Sequence, residues 1–208
     1  MNPFLSERAQ AGLVLASASP RRRALLTGLG FEFEVLPSAY HEADGGGEPD
    51  AAARRHALGK AHDVARHRPG ALVIGADTLV VAGGRSLGKP ADAGEARAML
   101  RALAGRDHAV LTAVALAALD PAAKRLRDAV DLSRTRVVFR DLADAEIEAY
   151  LDTGEPFDKA GAYGIQGHAA QFVTGIEGCY FNVMGLPLEL LTRMLRDWER
   201  GPARGGTA

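Results

Sequence analysis

Apolar and polar positions along this 208-residue chain alternate between two periods. Short period-two or wholly apolar runs predict strands over 12–16, 31–37 and 71–76, and near 170–175 and 179–184. Two longer runs, about 108–119 and 126–140, predict a hairpin turning at Asp120-Pro121. Helical spacing predicts helices over 20–28, 50–67, 92–103, 143–152 and 187–198. The first is closed by Gly28 and Gly30, and the fourth is stopped by Gly154. Val80-Val81 leads into a Gly83-Gly84 turn, residues 41–50 read as a loop, and a glycine-rich loop fills 160–168. Strands and helices alternate around one hairpin, so the class is α/β with a mixed sheet. No repeat or linker divides the chain, which reads as one domain with its ends, 1–11 and 200–208, flexible.

Composition adds a few exclusions. Hydrophobic residues make up 47% of the chain, enough for a substantial core. Lys plus Arg is 25 against 26 for Asp plus Glu, so no bulk charge recruits nucleic acid or a membrane surface. Cys179 is the single cysteine, which excludes an internal disulfide and suits a reducing compartment. The start, MNPFLSERAQAG, lacks the basic and apolar runs of a signal peptide, and no apolar run nears the ~20 residues of a membrane span. A cytoplasmic protein is the expectation.

Candidate chemistry begins where the first strand runs into Ser17-Ala-Ser19-Pro20-Arg21-Arg22-Arg23. Ser19 suits an N-cap and Pro20 the first helical position. Free backbone N–H groups at that helix start, two hydroxyls and adjacent guanidiniums together predict a phosphate site. Asp77, placed by this reading at the end of the 71–76 strand, suits a metal ligand or general base as well as it suits a turn cap. Gly83 to Pro90 reads G-x-x-x-x-G-K-P, a failed P-loop because proline stands where a hydroxyl is needed, but Lys89 remains available to a phosphate. In Gly161-Ala-Tyr163-Gly164-Ile-Gln166-Gly167 the glycines predict close backbone approach to a ligand, Tyr163 a stacking face and Gln166 an amide for a base edge. Asp158-Lys159 reads either as a surface pair or as part of the site. Lys60 alone reads as a solvated helix face, and the six histidines show no metal spacing.

Ser17-Ala-Ser-Pro-Arg-Arg22, Lys60-Ala61, Gly75-Ala-Asp-Thr78, Leu87-Gly-Lys-Pro90, Asp158 to Gly167 and Asn182-Val-Met-Gly-Leu-Pro-Leu188 follow in the order of the Maf family, which the chain resembles over about 12–190. The resemblance implies a Maf/inosine-triphosphatase-like α/β fold: an elongated mixed sheet, flanking helices and a two-lobed cleft. It implies a cytoplasmic nucleoside triphosphate pyrophosphatase, a hydrolase releasing the monophosphate and pyrophosphate with a divalent cation, magnesium or manganese, and a homodimer as a common arrangement. Asp77 matches the family's proton acceptor, and Ser17, Arg21, Arg22, Lys60 and Lys89 match its phosphate-cleft positions. Arg21, Thr78 and Gln166 mark the subgroup acting on dTTP and UTP, and Lys159 joins the substrate-binding set. The family carries Asp-Glu where this chain has His41-Glu42, so Glu42 alone joins Asp77 as an implied metal ligand. Rival readings are an enzyme acting on modified pyrimidine triphosphates and a non-enzymatic nucleotide-binding regulator linked to septum formation.

Overall fold

The computed structural model describes residues 2–42 and 47–201. Strand β1 (Leu13–Leu15) lies parallel to β2 (Phe33–Val35) on one side and to β3 (Leu72–Ala82) on the other. β3 runs antiparallel to β5 (Asp107–Leu119), which pairs along its whole length with β6 (Leu126–Phe139), and β7 (Val173–Glu177) closes that edge. The order is β2-β1-β3-β5-β6-β7, and β4 (Arg85–Leu87) pairs with the end of β3.

Period-two alternation sorts the core onto two faces. Val14, Val73 and Ala113, Ala115 and Ala117 meet Ala53, Ala57, Ala61 and Val64 of α3 (Pro49–His67). Their neighbours Leu13, Leu15, Ile74, Val114 and Leu116 turn to the opposite face, in one cluster with leucines of α2 (Pro20–Gly28), α4 (Ala93–Leu103) and α7 (Leu188–Arg200). The α3 face is built of alanine, so helix and sheet approach closely. A β-carbon on Gly75 would overlap the Ala57 carbonyl oxygen and stand 2.9 Å from both Cβ and N of Ala61.

Several local expectations need correction. β3 continues through Asp77 to Ala82, so this carboxylate stands mid-strand, not at a strand end. β4, absent from the sequence reading, forms because the Gly83-Gly84 turn, with φ of 54° and 77°, folds the chain back on β3. Residues 180–184 are a helix, α6 (Tyr180–Met184), not a strand. Asn182 is fully buried and its Nδ2 donates to the Val110 carbonyl and to Thr135 Oγ1, so the segment docks on the sheet by side chain instead of by backbone ladder. Residues 168–172 form a 3-10 turn before β7. At the N-terminus, α1 (Glu7–Gln10) forms where the sequence reading placed no element: Asn2 N–H donates to Gln10 Oε1 at 2.7 Å, and Gln10 Nε2 returns a bond to the Asn2 carbonyl. Part of the 41–50 loop and all of the tail beyond Gly201 lie outside the described residues.

His108 is buried beside Phe139 and Tyr163, with Nε2 2.7 Å from the Tyr163 hydroxyl. Burial pushes its pKa down to about 4. The unfolded chain therefore binds this proton first as pH falls below 6.5, which destabilises the fold. The expected loss is about 2 kcal/mol between pH 7 and 5. Denaturant unfolding at the two pH values measures it, and a His108→Gln variant should lose most of the difference.

Candidate active site

On the edge of β3 that faces β1, pairing stops at Ile74, where the Ala16 N–H donates to its carbonyl, and resumes with β4 at Val80. The gap between them holds Asp77 and Thr78. A cleft of about 820 Å³ opens there, at the carboxyl end of β1. Parallel strands commonly present their ligands at that end.

Asp77 is 4% exposed and faces α3. The close approach at Gly75 brings Lys60 down, and its Nζ lies 2.6 Å from Asp77 Oδ1 and 2.6 Å from Glu42 Oε1. Glu42 arrives on a strap crossing α3. Ser38 Oγ and the Ala39 N–H both donate to Asp63 Oδ2, and the Tyr40 ring covers Gly59. Burial opposes ionisation of Glu42, but Lys60 at hydrogen-bond distance outweighs it and holds the carboxyl below its ordinary pKa. Lys60, read from sequence as a solvated face, is thus a half-buried charge between two carboxylates. Asp77 Oδ2 is buried with no partner among the described residues.

The start of α2 forms the floor. Ser19 caps the helix through a long 3.5 Å contact with the Arg22 N–H, and Ser17 Oγ accepts from the Ser19 N–H. The adjacent arginines divide. Arg22 is a clamp: Nε donates to the Gly185 carbonyl, Nη1 to Ser17 Oγ and Nη2 to Thr78 Oγ1. Burial draws its guanidinium below the ordinary pKa, opposed by the charge of Asp77. Thr78 Oγ1 continues the chain of bonds to Thr112 Oγ1. Arg21 lies in the cleft with a loose 3.9 Å ion pair to Asp158, and Arg23 is exposed and outside it.

The opposite wall carries Gly88, Lys89 and residues 155–167. The Gly161 N–H donates to the Gly88 carbonyl at 3.0 Å and ties the two segments together. Lys159 Nζ donates to Asp158 Oδ1 at 2.6 Å and to the Glu155 carbonyl, so Asp158-Lys159 is both an ion pair and part of the cleft wall. Lys89 and Gln166 are exposed at the rim. One expectation for this loop fails. The Tyr163 ring packs edge-on against Phe139 and His108 in the core, so it offers no free stacking face. The glycines accommodate the protein's own side chains: β-carbons at 161, 164 and 167 would strike Val80, Lys159 and Glu155 respectively. Glu155 itself was missed in the sequence, where Gly154-Glu-Pro reads only as a helix stop; its spacing from Gly164 and Gly167 carries no periodic signal.

All ten residues singled out from the sequence (Ser17, Arg21, Arg22, Glu42, Lys60, Asp77, Thr78, Lys89, Lys159 and Gln166) therefore line one cleft. Among the described residues no group of three or more His, Cys, Asp or Glu could hold a metal by itself. The buried free oxygen of Asp77 and the Glu42 carboxylate are hard donors that fit a magnesium-class ion sharing its shell with water and phosphate oxygens.

Comparison with known proteins extends over nearly all of this. A curated dTTP/UTP pyrophosphatase of Pelotomaculum thermopropionicum is 51% identical over 187 residues, 89% of this chain and 96% of its own. Those of Moorella thermoacetica and Anaeromyxobacter dehalogenans are 53% and 50% identical, over 88% and 90% of this chain and 93% and 97% of their own. The solved structure of the Staphylococcus aureus Ham1 protein aligns with 88% of this chain and 97% of its own at 13% identity and a TM-score of 0.46, too distant to bear on the site. The sequence pattern of the Maf-like proteins matches residues 12–198, from the strand before the serine-capped helix to the last helix, and the chain belongs to the Maf family.

Proposed function

We propose that this protein is a nucleoside triphosphate pyrophosphatase that converts dTTP and UTP to the monophosphate and pyrophosphate. The observation that carries it is the buried Asp77 with one oxygen held by Lys60 and the other without a partner among the described residues, inside a cleft edged by Arg21, Lys89 and Lys159. A regulator that only bound nucleotide would need the cations but not that carboxylate. Names of relatives near 50% identity support the pyrimidine assignment.

In this reading the triphosphate lies along the start of α2, with Ser17 and the free N–H groups of the helix beside it. Arg21, Lys89 and Lys159 neutralise its charge. Arg22 shapes the floor from beneath, with three of its five N–H donors engaged by Gly185, Ser17 and Thr78. Water attacks the α-phosphorus, Asp77 Oδ2 takes its proton, the bridging α–β P–O bond breaks and pyrophosphate leaves. Lys60 keeps Asp77 oriented through the direct contact. A magnesium or manganese ion held by Asp77 and Glu42 would supply charge neutralisation on the phosphates. On this reading the enzyme works on the cytoplasmic triphosphate pool as a homodimer, the arrangement the family resemblance implies.

Pyrophosphate release from a panel of normal and modified triphosphates, with and without magnesium or manganese and with excess chelator, tests the reading. Preference for dTTP and UTP and loss of activity in chelator are expected; no release from any triphosphate would end it. Arg21→Ala and Lys89→Ala should each lower catalytic efficiency roughly ten- to a hundredfold, since a hydrogen bond to a charged group is worth about 1.5–3 kcal/mol. Their unfolding curves should match wild type, as neither side chain holds the fold.

Gln166 makes no hydrogen bond within the described residues, so its amide is free to donate to and accept from the imide edge of uracil or thymine. Gln166→Leu should reduce efficiency on dTTP and UTP more than on dATP or dGTP. An unchanged profile across the panel would remove Gln166 from base recognition.

A further inference from the structure

We propose that Glu155 is the positioning residue for base selection, an inference that rests on the pyrimidine triphosphatase reading above. Glu155 sits in the first 3-10 turn (Glu155–Asp158) and lines the cleft. Both its carboxylate oxygens are engaged. Oε1 accepts from the Tyr150 hydroxyl and Oε2 from the His168 N–H, each at 2.9 Å. The Tyr150 hydroxyl accepts in turn from the Gly164 N–H at 3.3 Å. Gln166 therefore lies midway in a five-residue segment, 164–168, whose two ends are tied to one Tyr150–Glu155 pair. The segment is closed internally by the Gly167 N–H bond to the Gly164 carbonyl.

The anchor is rigid. Tyr150 is 3% exposed on α5 (Asp144–Asp152), and its ring meets Phe172 edge-on at 5.2 Å. Gly167 has no side chain because one would overlap the Glu155 carboxylate, which is how the carboxylate reaches under the loop. Gln166, with no bond of its own, takes its place from this bracket. A recognition contact misplaced by about 1 Å can cost up to ~10²-fold, and the Glu155 carboxylate bonds Tyr150 and His168, whereas its contact with Lys159 runs through the backbone carbonyl, which the substitutions below keep.

The test compares wild type with Glu155→Ala, Glu155→Gln and Tyr150→Phe. It measures kcat and KM on dTTP and dATP, and the inhibition constant of inorganic tripolyphosphate, which has no base. Glu155→Ala should raise the KM for dTTP about tenfold and reduce the dTTP-over-dATP preference about tenfold, with kcat and the tripolyphosphate constant within about threefold of wild type. Glu155→Gln should restore most of the preference, because its carbonyl can accept the His168 N–H while its amide donates to the Tyr150 oxygen. Tyr150→Phe, which keeps the core volume, should reproduce a smaller loss and serves if Glu155→Ala does not fold. An unchanged preference in Glu155→Ala and Tyr150→Phe overturns the proposal. So does a parallel rise in the tripolyphosphate constant, or a Glu155→Gln enzyme as poor as Glu155→Ala. Wild type inactive on dTTP would instead overturn the underlying reading.

Discussion

Asp77→Asn should lower turnover on dTTP by a factor of about 10² to 10⁴, the range for removing a positioned general base. The substitution keeps the shape of the side chain. The Asn carbonyl oxygen can still accept from Lys60, whose charge remains paired with Glu42 at 2.6 Å. What disappears is the negative charge at Oδ2, the buried oxygen that no group among the described residues satisfies. The amide in its place neither takes a proton from water nor ligates a hard cation. The fold should survive, since Asp77 sits mid-strand with its backbone in register opposite Ala113. Steady-state pyrophosphate release, measured beside an unfolding curve, separates the two effects. Wild-type turnover in the variant would exclude Asp77 from the reaction.

Gly75→Ala should be the most damaging small substitution outside the polar site. The added methyl meets backbone rather than a side-chain tip that could swing away: the Ala57 carbonyl and the Ala61 nitrogen of α3. Overpacking of this kind costs about 1–3 kcal/mol. The upper end is expected here, because α3 is pinned to the sheet by alanines that cannot repack. For a chain of this size that corresponds to a fall in Tm of roughly 6–12 °C. Lys60 lies one residue before Ala61, so the shift that relieves the clash carries the ammonium away from Asp77 and should lower turnover about tenfold or more in the molecules that remain folded. Thermal unfolding and turnover at a temperature below the transition check both parts. A variant with wild-type Tm would show that α3 is not held at this point.

How far the sequence led differs between elements. The helix at 20–28 and its serine cap were legible because N-capping, Pro at the first position and a terminal glycine are local rules that act within a few residues. The long antiparallel pair β5–β6 was legible for a similar reason: two apolar runs and one Asp-Pro turn, where Asp120 Oδ1 accepts from the N–H groups of Ala122 and Ala123. Cys179 to Met184 misled because its aromatic and β-branched residues carry strand propensity, whereas the helix there is selected by the buried bonds of Asn182 to β5 and β6. β3 was cut short at Ala76 because a carboxylate inside a strand looks like a terminator. It is tolerated because Lys60, 17 residues away, meets it.

The chemistry divides along the same line. Residue type and order by themselves determined an α/β fold, the set of cations and hydroxyls, and membership in the Maf family. Which of those side chains are bonded within the protein and which face the open cleft was decided by tertiary structure alone. Two adjacent arginines are equivalent in sequence. In space both line the cleft, but Arg22 gives three of its five N–H donors to Ser17, Thr78 and Gly185, while Arg21 has a loose ion pair to Asp158. Tyr163 reads as a ligand face until it is seen packed on Phe139, and Glu155 reads as punctuation until it is found beneath Gly167. The physical reason is common to all of these. Capping, propensity and periodicity act over one or two turns, whereas a charge is satisfied, or left free for chemistry, by groups that only the folded chain brings within hydrogen-bond distance.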